Sequence, residues 1–280
     1  MTGTSGWLLS GFGDEIDADP RVQCAVLAAS GAAHLEVRSA WGVGVLDLDE
    51  RRLEELRIIL REFDFGVSAV ASPIGKSDAD TAPEYELDRL HRAIRVAAVL
   101  ATPYVRTFSF YPGAFPDAAA ARDAVLRHLA GLAAAAEAAD VILLHENEKG
   151  VYGDVPARVL DLVECVGSPA LRLAWDSANS VQVGVRPFTD GYAALRPHLE
   201  YVQVKDAVAA TGAVVPAGDG DGAVAETLAA LRDDGYTGFF SLEPHLPAPP
   251  GRPGFAGAAA FGTAARALLH LTRTTGMELS

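Results

Sequence analysis

Eight short apolar runs punctuate the chain, at residues 7–12, 34–38, 66–71, 104–110, 141–145, 171–175, 201–205 and 238–242. Several are near-continuous Val, Leu, Ile and Phe rather than clean alternations, which is the pattern of parallel strands covered on both faces. Between them the period lengthens to that of a helix. Over 49–64, Leu53, Leu56, Leu60 and Phe63 mark one face while Glu and Arg fill the other. Asp49 is placed to cap the start of that helix, and Gly66 follows its end. Over 85–101 the pattern runs through Leu87, Leu90, Ile94 and Ala98. The Ala-rich stretch 118–140 predicts a long helix able to pack close to a sheet. The Pro and Gly cluster 247–254 predicts the last strand-to-helix loop, ahead of a final helix over 257–274.

Strand and helix alternate every 30 to 40 residues or so, roughly the size of a βα unit. Eight units predict a closed (β/α)8 barrel rather than an open sheet. No Gly-rich dinucleotide fingerprint opens the first helix, which removes the main support for the open form. The 280 residues suit one domain, 1–280, since such barrels take about 250 residues.

Composition narrows the partners. Half the residues are hydrophobic and 21% are charged, as in a globular protein with a sizeable core. No apolar run is long enough to cross a membrane, and the polar start at Met1–Gly6 lacks the features of a signal peptide, so a cytoplasmic location is expected. Cys24 and Cys165 lie far apart in helical stretches and are expected to be buried and unpaired. The net charge of −14, without a basic run, argues against nucleic acid as a partner. A homo-oligomer is left open.

In barrels of this kind the chemistry sits where strands end. The fifth strand ends in His145-Glu146-Asn147, the sixth in Trp175-Asp176-Ser177-Ala178-Asn179, the seventh carries Gln203-Val204-Lys205-Asp206, and the eighth ends in Leu242-Glu243-Pro244-His245. Four successive strands thus deliver an oxygen-bearing side chain to one rim. Three carboxylates and an amide carbonyl suit one hard or borderline divalent ion, and without a cation the carboxylates would repel one another.

These strand ends resemble the xylose-isomerase-like TIM barrels, a superfamily of sugar phosphate isomerases and epimerases that also includes an endonuclease branch. The resemblance runs from Leu35-Glu36 to Glu243 and is most specific in four places. These are the Glu-Asn after strand five, the Asp with Asn three later after strand six, the Lys-Asp of strand seven and the Leu-Glu of strand eight. It implies Glu146, Asp176, Gln203 and Glu243 as metal ligands, with Glu146 and Glu243 also the proton-transfer pair. Glu36 and Asn179 would contact substrate or support the ligands. Most relatives carry His where this chain has Gln203. A neutral carbonyl shifts the expected metal toward Mn or Mg, with Co or Zn next.

The chemistry implied is proton transfer beside a carbonyl through an enediolate, on a ketose or small oxo-sugar. Return of the proton to the neighbouring carbon makes an isomerase, and return to the same carbon makes an epimerase. A metal-dependent lyase on an oxidised sugar and an inactive sugar-binding barrel are the competing readings. The endonuclease reading fails for want of histidines around Ser72, Ser109 and Asp206. Other rim residues are weaker candidates. Arg38 and Arg106 lie in apolar strands and need partners, which the barrel mouth would supply. Lys76 reads equally as a substrate contact or a solvated loop lysine, and Lys205 as a structural ion pair or a catalytic group. His145 and His245 flank the glutamates as substrate contacts or as structural histidines. The stretch 218–222, Gly-Asp-Gly-Asp-Gly, reads as a flexible loop. The acidic loop after strand seven, together with the net charge, favours an uncharged sugar over a sugar phosphate.

Overall fold

The computed structural model describes residues 6–247 and 257–280. Its eight parallel strands are β1 (Leu8–Gly11), β2 (His34–Val37), β3 (Gly66–Ile74), β4 (Tyr104–Thr107), β5 (Ile142–Glu146), β6 (Leu171–Asp176), β7 (Leu199–Val204) and β8 (Phe239–Leu242). Each pairs with the next in sequence from β2 to β8, and β8 pairs with β1. The seam between β1 and β2 is joined by the single bridge Phe12–Glu36. The sheet is therefore a nearly closed barrel, as the eightfold alternation predicts.

The outer layer consists of α1 (Pro20–Ala29), α2 (Glu50–Glu62), α3 (Pro83–Leu100), α4 (Ala118–Ala138), α5 (Pro156–Val166), a short α6 (Ser177–Gln182), α7 (Val224–Asp233) and α8 (Gly257–Thr274). After α6 a π-helical turn, Phe188–Tyr192, runs into Ala193–Leu195 on the outside of the barrel. Asp49 caps α2 by accepting the Arg52 N–H at 2.7 Å, and Leu53, Leu56 and Leu60 are buried. On α3 the expected face is rotated. Leu90, Ala93, Ala97 and Leu100 are buried whereas Ala98 is exposed. Cys165 also departs from expectation. It is exposed, beside Arg122 and Asp161, while Cys24 is buried; neither is paired.

Two-residue periodicity decides what enters the barrel. Ala69, Leu144, Ala174 and Tyr201 pack together inside it toward the strand starts. Stepping two residues along from these positions places Glu146, Asp176 and Gln203 on the same inner face. Register aligns them, since Asp176 stands opposite Gln203 across the β6–β7 ladder.

The segment 218–222 is ordered around one carboxylate. Asp206 accepts N–H groups from Ala207, Gly218, Gly220 and Gly222 at 2.8 to 3.2 Å. A Cβ on Gly220 would stand 2.5 Å from the Ala207 carbonyl oxygen, so the close wrap requires glycine there. The expected loop at 247–254 falls outside the described residues beyond Pro247.

Candidate functional site

The mouth of the barrel opens into a cavity of about 520 Å³. Glu146, Lys205, Glu243 and His245 line it on the side of β5, β7 and β8. Arg38, Ala71, Pro73, Lys76 and Arg106 line it on the side of β2 to β4. Oxygens of Glu146, Asp176 and Glu243 lie within 4.8 Å of one another, and all three residues are buried.

Three cations hold the carboxylates, one of them shared. Arg106 donates to Glu146 Oε2 at 3.0 Å, and Arg38 donates to Glu243 Oε1 at 2.7 Å. The Lys205 ammonium lies 2.7 Å from Glu243 Oε2 and 2.9 Å from Asp176 Oδ2. Part of the repulsion expected among the acids is thus met by the chain's own bases. Asn179 ties two of them together, its backbone N–H on Asp176 Oδ1 at 2.8 Å and its side chain on Glu146 Oε1 at 3.1 Å. Asn147 clasps the Asp176 peptide, accepting its N–H and donating to its carbonyl.

Burial and charge push the two glutamates apart. Burial raises Glu146 to about 8, against the pull of Arg106. Glu243 is equally buried, but Lys205, His245, Arg38 and Arg106 outweigh burial and hold it well below the carboxylate range. Burial also raises Glu36, which accepts from Tyr201 at 2.9 Å and from the Gln203 amide at 3.2 Å. The two carboxyls that meet in the mouth thus differ in proton affinity, Glu146 the higher.

The residues present fit a divalent cation. Gln203 donates its amide N–H to Glu36, which leaves Oε1 buried with no hydrogen-bond partner. Asp176 Oδ2 meets only the Lys205 ammonium, at 2.9 Å. Buried orphan oxygens are rare in folded proteins. The Gln203 oxygen is one such; Asp176 stands opposite it across the β6–β7 ladder and meets Glu146 and Glu243, an all-oxygen set of the kind a hard divalent ion takes.

The other expected site residues divide. Arg38, Lys76, Arg106, Lys205 and His245 all reach the cavity. Lys76 pairs with Glu148 at 2.9 Å and sits 4.3 Å from the Phe108 ring centre. Glu36 and Asn179 lie behind it, against Gln203 and Glu146. His145 does not line the cavity. It follows Leu144 out of phase and points to the helical side of β5, where its ring lies against Gly153. Burial without a partner lowers it to about 4. Asp14 and Glu15, absent from the residues expected at the site, follow β1 in a 3-10 turn and both accept from Arg38. Their acidic pair directly after the first apolar run was the available signal. The residues that lack the endonuclease histidines have structural partners instead. Ser72 donates to the Arg106 carbonyl, and Ser109 accepts the Gly153 N–H.

Comparison with known proteins follows the same geometry. The sequence profile of the xylose isomerase-like TIM barrels matches residues 24–265. A 2-epi-5-epi-valiolone 7-phosphate 2-epimerase from an Actinoplanes species is 32% identical over 222 residues, covering 74% of this chain and 79% of the relative. Among solved structures, a xylose isomerase-like TIM barrel protein from Mycobacterium smegmatis, in complex with magnesium, superposes with a TM-score of 0.71 at 20% identity. It covers 97% of this chain and 98% of its own. A D-tagatose 3-epimerase-like protein gives 0.77 at 15% identity, over 96% and 98%.

Proposed function

Because the chain belongs to the xylose isomerase-like TIM-barrel family, we propose that it is a divalent-metal-dependent epimerase or isomerase of a ketose or small oxo-sugar. The observation that carries this reading is the meeting of Glu146, Asp176 and Glu243 oxygens within 4.8 Å, with the unpartnered oxygen of Gln203 on the residue opposite Asp176. Glu146, Asp176, Gln203 and Glu243 would hold the ion. When bound, it supplies polarisation of the substrate carbonyl and hydroxyl. Mg or Mn suits the oxygen set better than Zn.

The rest is the work of the chain. Glu243, ionised, takes the proton from the carbon beside the carbonyl, leaving an enediolate. Glu146, in its protonated form, returns a proton from the other face. Arg106 and Lys205 hold these carboxyls in place and supply positive charge where negative charge develops. The curated relative is an epimerase, which puts return to the same carbon ahead of return to its neighbour.

The test is a panel of ketoses, free and phosphorylated, incubated with Mn or Mg in deuterated water. Label is expected at the carbon beside the carbonyl. Glu146→Gln and Glu243→Gln should each lower kcat by about 10²- to 10⁴-fold, the usual worth of a positioned acid or base. Turnover that survives in both variants would overturn the mechanism.

A further inference from the structure

The same cavity carries a second group of charges that proton transfer does not use. Arg89 and Arg92 stand three residues apart on α3, hence on one face, and line the cavity wall together with Lys76. Their charges are unequally met. Lys76 has Glu148, and Arg89 reaches Glu86 only at 3.3 and 3.4 Å, while Glu86 also accepts from Ser77 at 2.6 Å. Arg92 has no carboxylate partner among the described residues. It donates Nη2 to the Leu48 carbonyl at 2.9 Å, and its Nε is buried with no partner at all. Asp47 lines the same wall but is exposed and pairs with none of the three.

Arg92 is half-buried in the cavity wall with no counterion among the described residues, so an anion in the cavity would supply the charge it lacks. We propose that Arg92, Arg89 and Lys76 form a subsite for a phosphoryl group on the substrate. The assignment rests on the proposed sugar-transforming site, and deepens it by naming the substrate class as a phosphate monoester. Two forked guanidinium groups and an ammonium match a dianion with three oxygens better than a carboxylate, which one arginine satisfies. The cavity joins the two ends. A molecule reacting between Glu146 and Glu243 extends past Ala71 and Pro73 to reach α3. The uncharged substrate expected from the acidic loop after β7 is thereby replaced. Asp206 spends its charge on four backbone N–H groups, and neither it nor 218–222 lines the cavity.

Calorimetric titration of inorganic phosphate into chelator-treated protein tests the subsite without turnover. Arg92→Met should weaken binding about tenfold or more, as expected for loss of a charge-assisted contact. Arg95→Met, on α3 but outside the cavity, should leave it unchanged. Absence of phosphate binding in the wild type, or equal binding in Arg92→Met, would overturn the subsite. If phosphate binds through Arg92 but no member of the ketose panel is transformed, the subsite stands and the proposed reaction falls. If free ketoses are turned over while phosphate does not bind, the reaction stands and the subsite falls.

Discussion

The ammonium of Lys205 lies 2.7 Å from Oε2 of Glu243, and both side chains are almost wholly buried. Burial works against the ammonium, but Asp176, Glu243 and Glu146 outweigh it and raise Lys205, which favours its charged form. The barrel thus carries fixed positive charge among the acids it would offer to a metal.

Removal of that charge should be felt in stability. Breaking a buried ion pair from one side costs about 3–5 kcal/mol, because the partner is left charged and unpaired. Lys205→Met should therefore lower unfolding free energy by that order in chelator, measured by urea denaturation. Added Mg should stabilise the variant more than the wild type. Equal stability of the two proteins in chelator would contradict this account.

Asp176→Ala should abolish stoichiometric divalent metal, read by elemental analysis of protein purified without chelator. Gln203→His should retain metal and move the Zn to Mn affinity ratio toward Zn, since imidazole is the softer ligand. Unchanged metal content in the first variant would exclude Asp176 as a ligand. An unchanged ratio in the second would exclude Gln203.

Asp206 offers a test away from the reacting groups. It accepts four backbone N–H groups, and hydrogen bonds to charged groups contribute about 1.5–3 kcal/mol each, not additively. Asp206→Ala should cost about 3 kcal/mol and open residues 217–222 to limited proteolysis. Resistance equal to that of the wild type would show the loop to be held by other contacts.

His34 makes stability depend on pH. It lies edge-on to Phe239 at 4.9 Å between ring centres, its Nδ1 has no partner, and burial lowers it below 6.5. The unfolded chain therefore binds the proton first, and stability is full above pH 6.5 and falls as the pH drops below it. His34→Phe should flatten that part of the profile of unfolding free energy against pH. An identical slope in variant and wild type would exonerate His34.

Much of the mouth was legible in the sequence because a strand has only two faces. Once Glu146, Asp176, Gln203 and Glu243 stand at the ends of successive strands, a period of two suffices to send them inward together. The same period puts His145 outside, one residue before Glu146. Nearness along the chain had suggested a shared site, but alternation separates adjacent side chains to opposite faces of the sheet.

Helix phase was less certain. On α3 a mixed run of Leu, Ile, Val and Ala supports more than one buried stripe, and packing against β3 chose Ala97 over Ala98. Arg89 and Arg92 lie on the same helix between its apolar positions, and nothing in the sequence marks them out. Glu or Arg on a helix looks alike in sequence whether it meets water or a cavity wall. Only the fold of 39–47 beside α3 makes them line a cavity. The sequence by itself determined the eight βα units and the oxygen set at the strand ends, because those follow from local periodicity. Which cations neutralise that set, and where the cavity leads, was decided by contacts such as Arg38 with Glu243 across 205 residues, which no local period encodes.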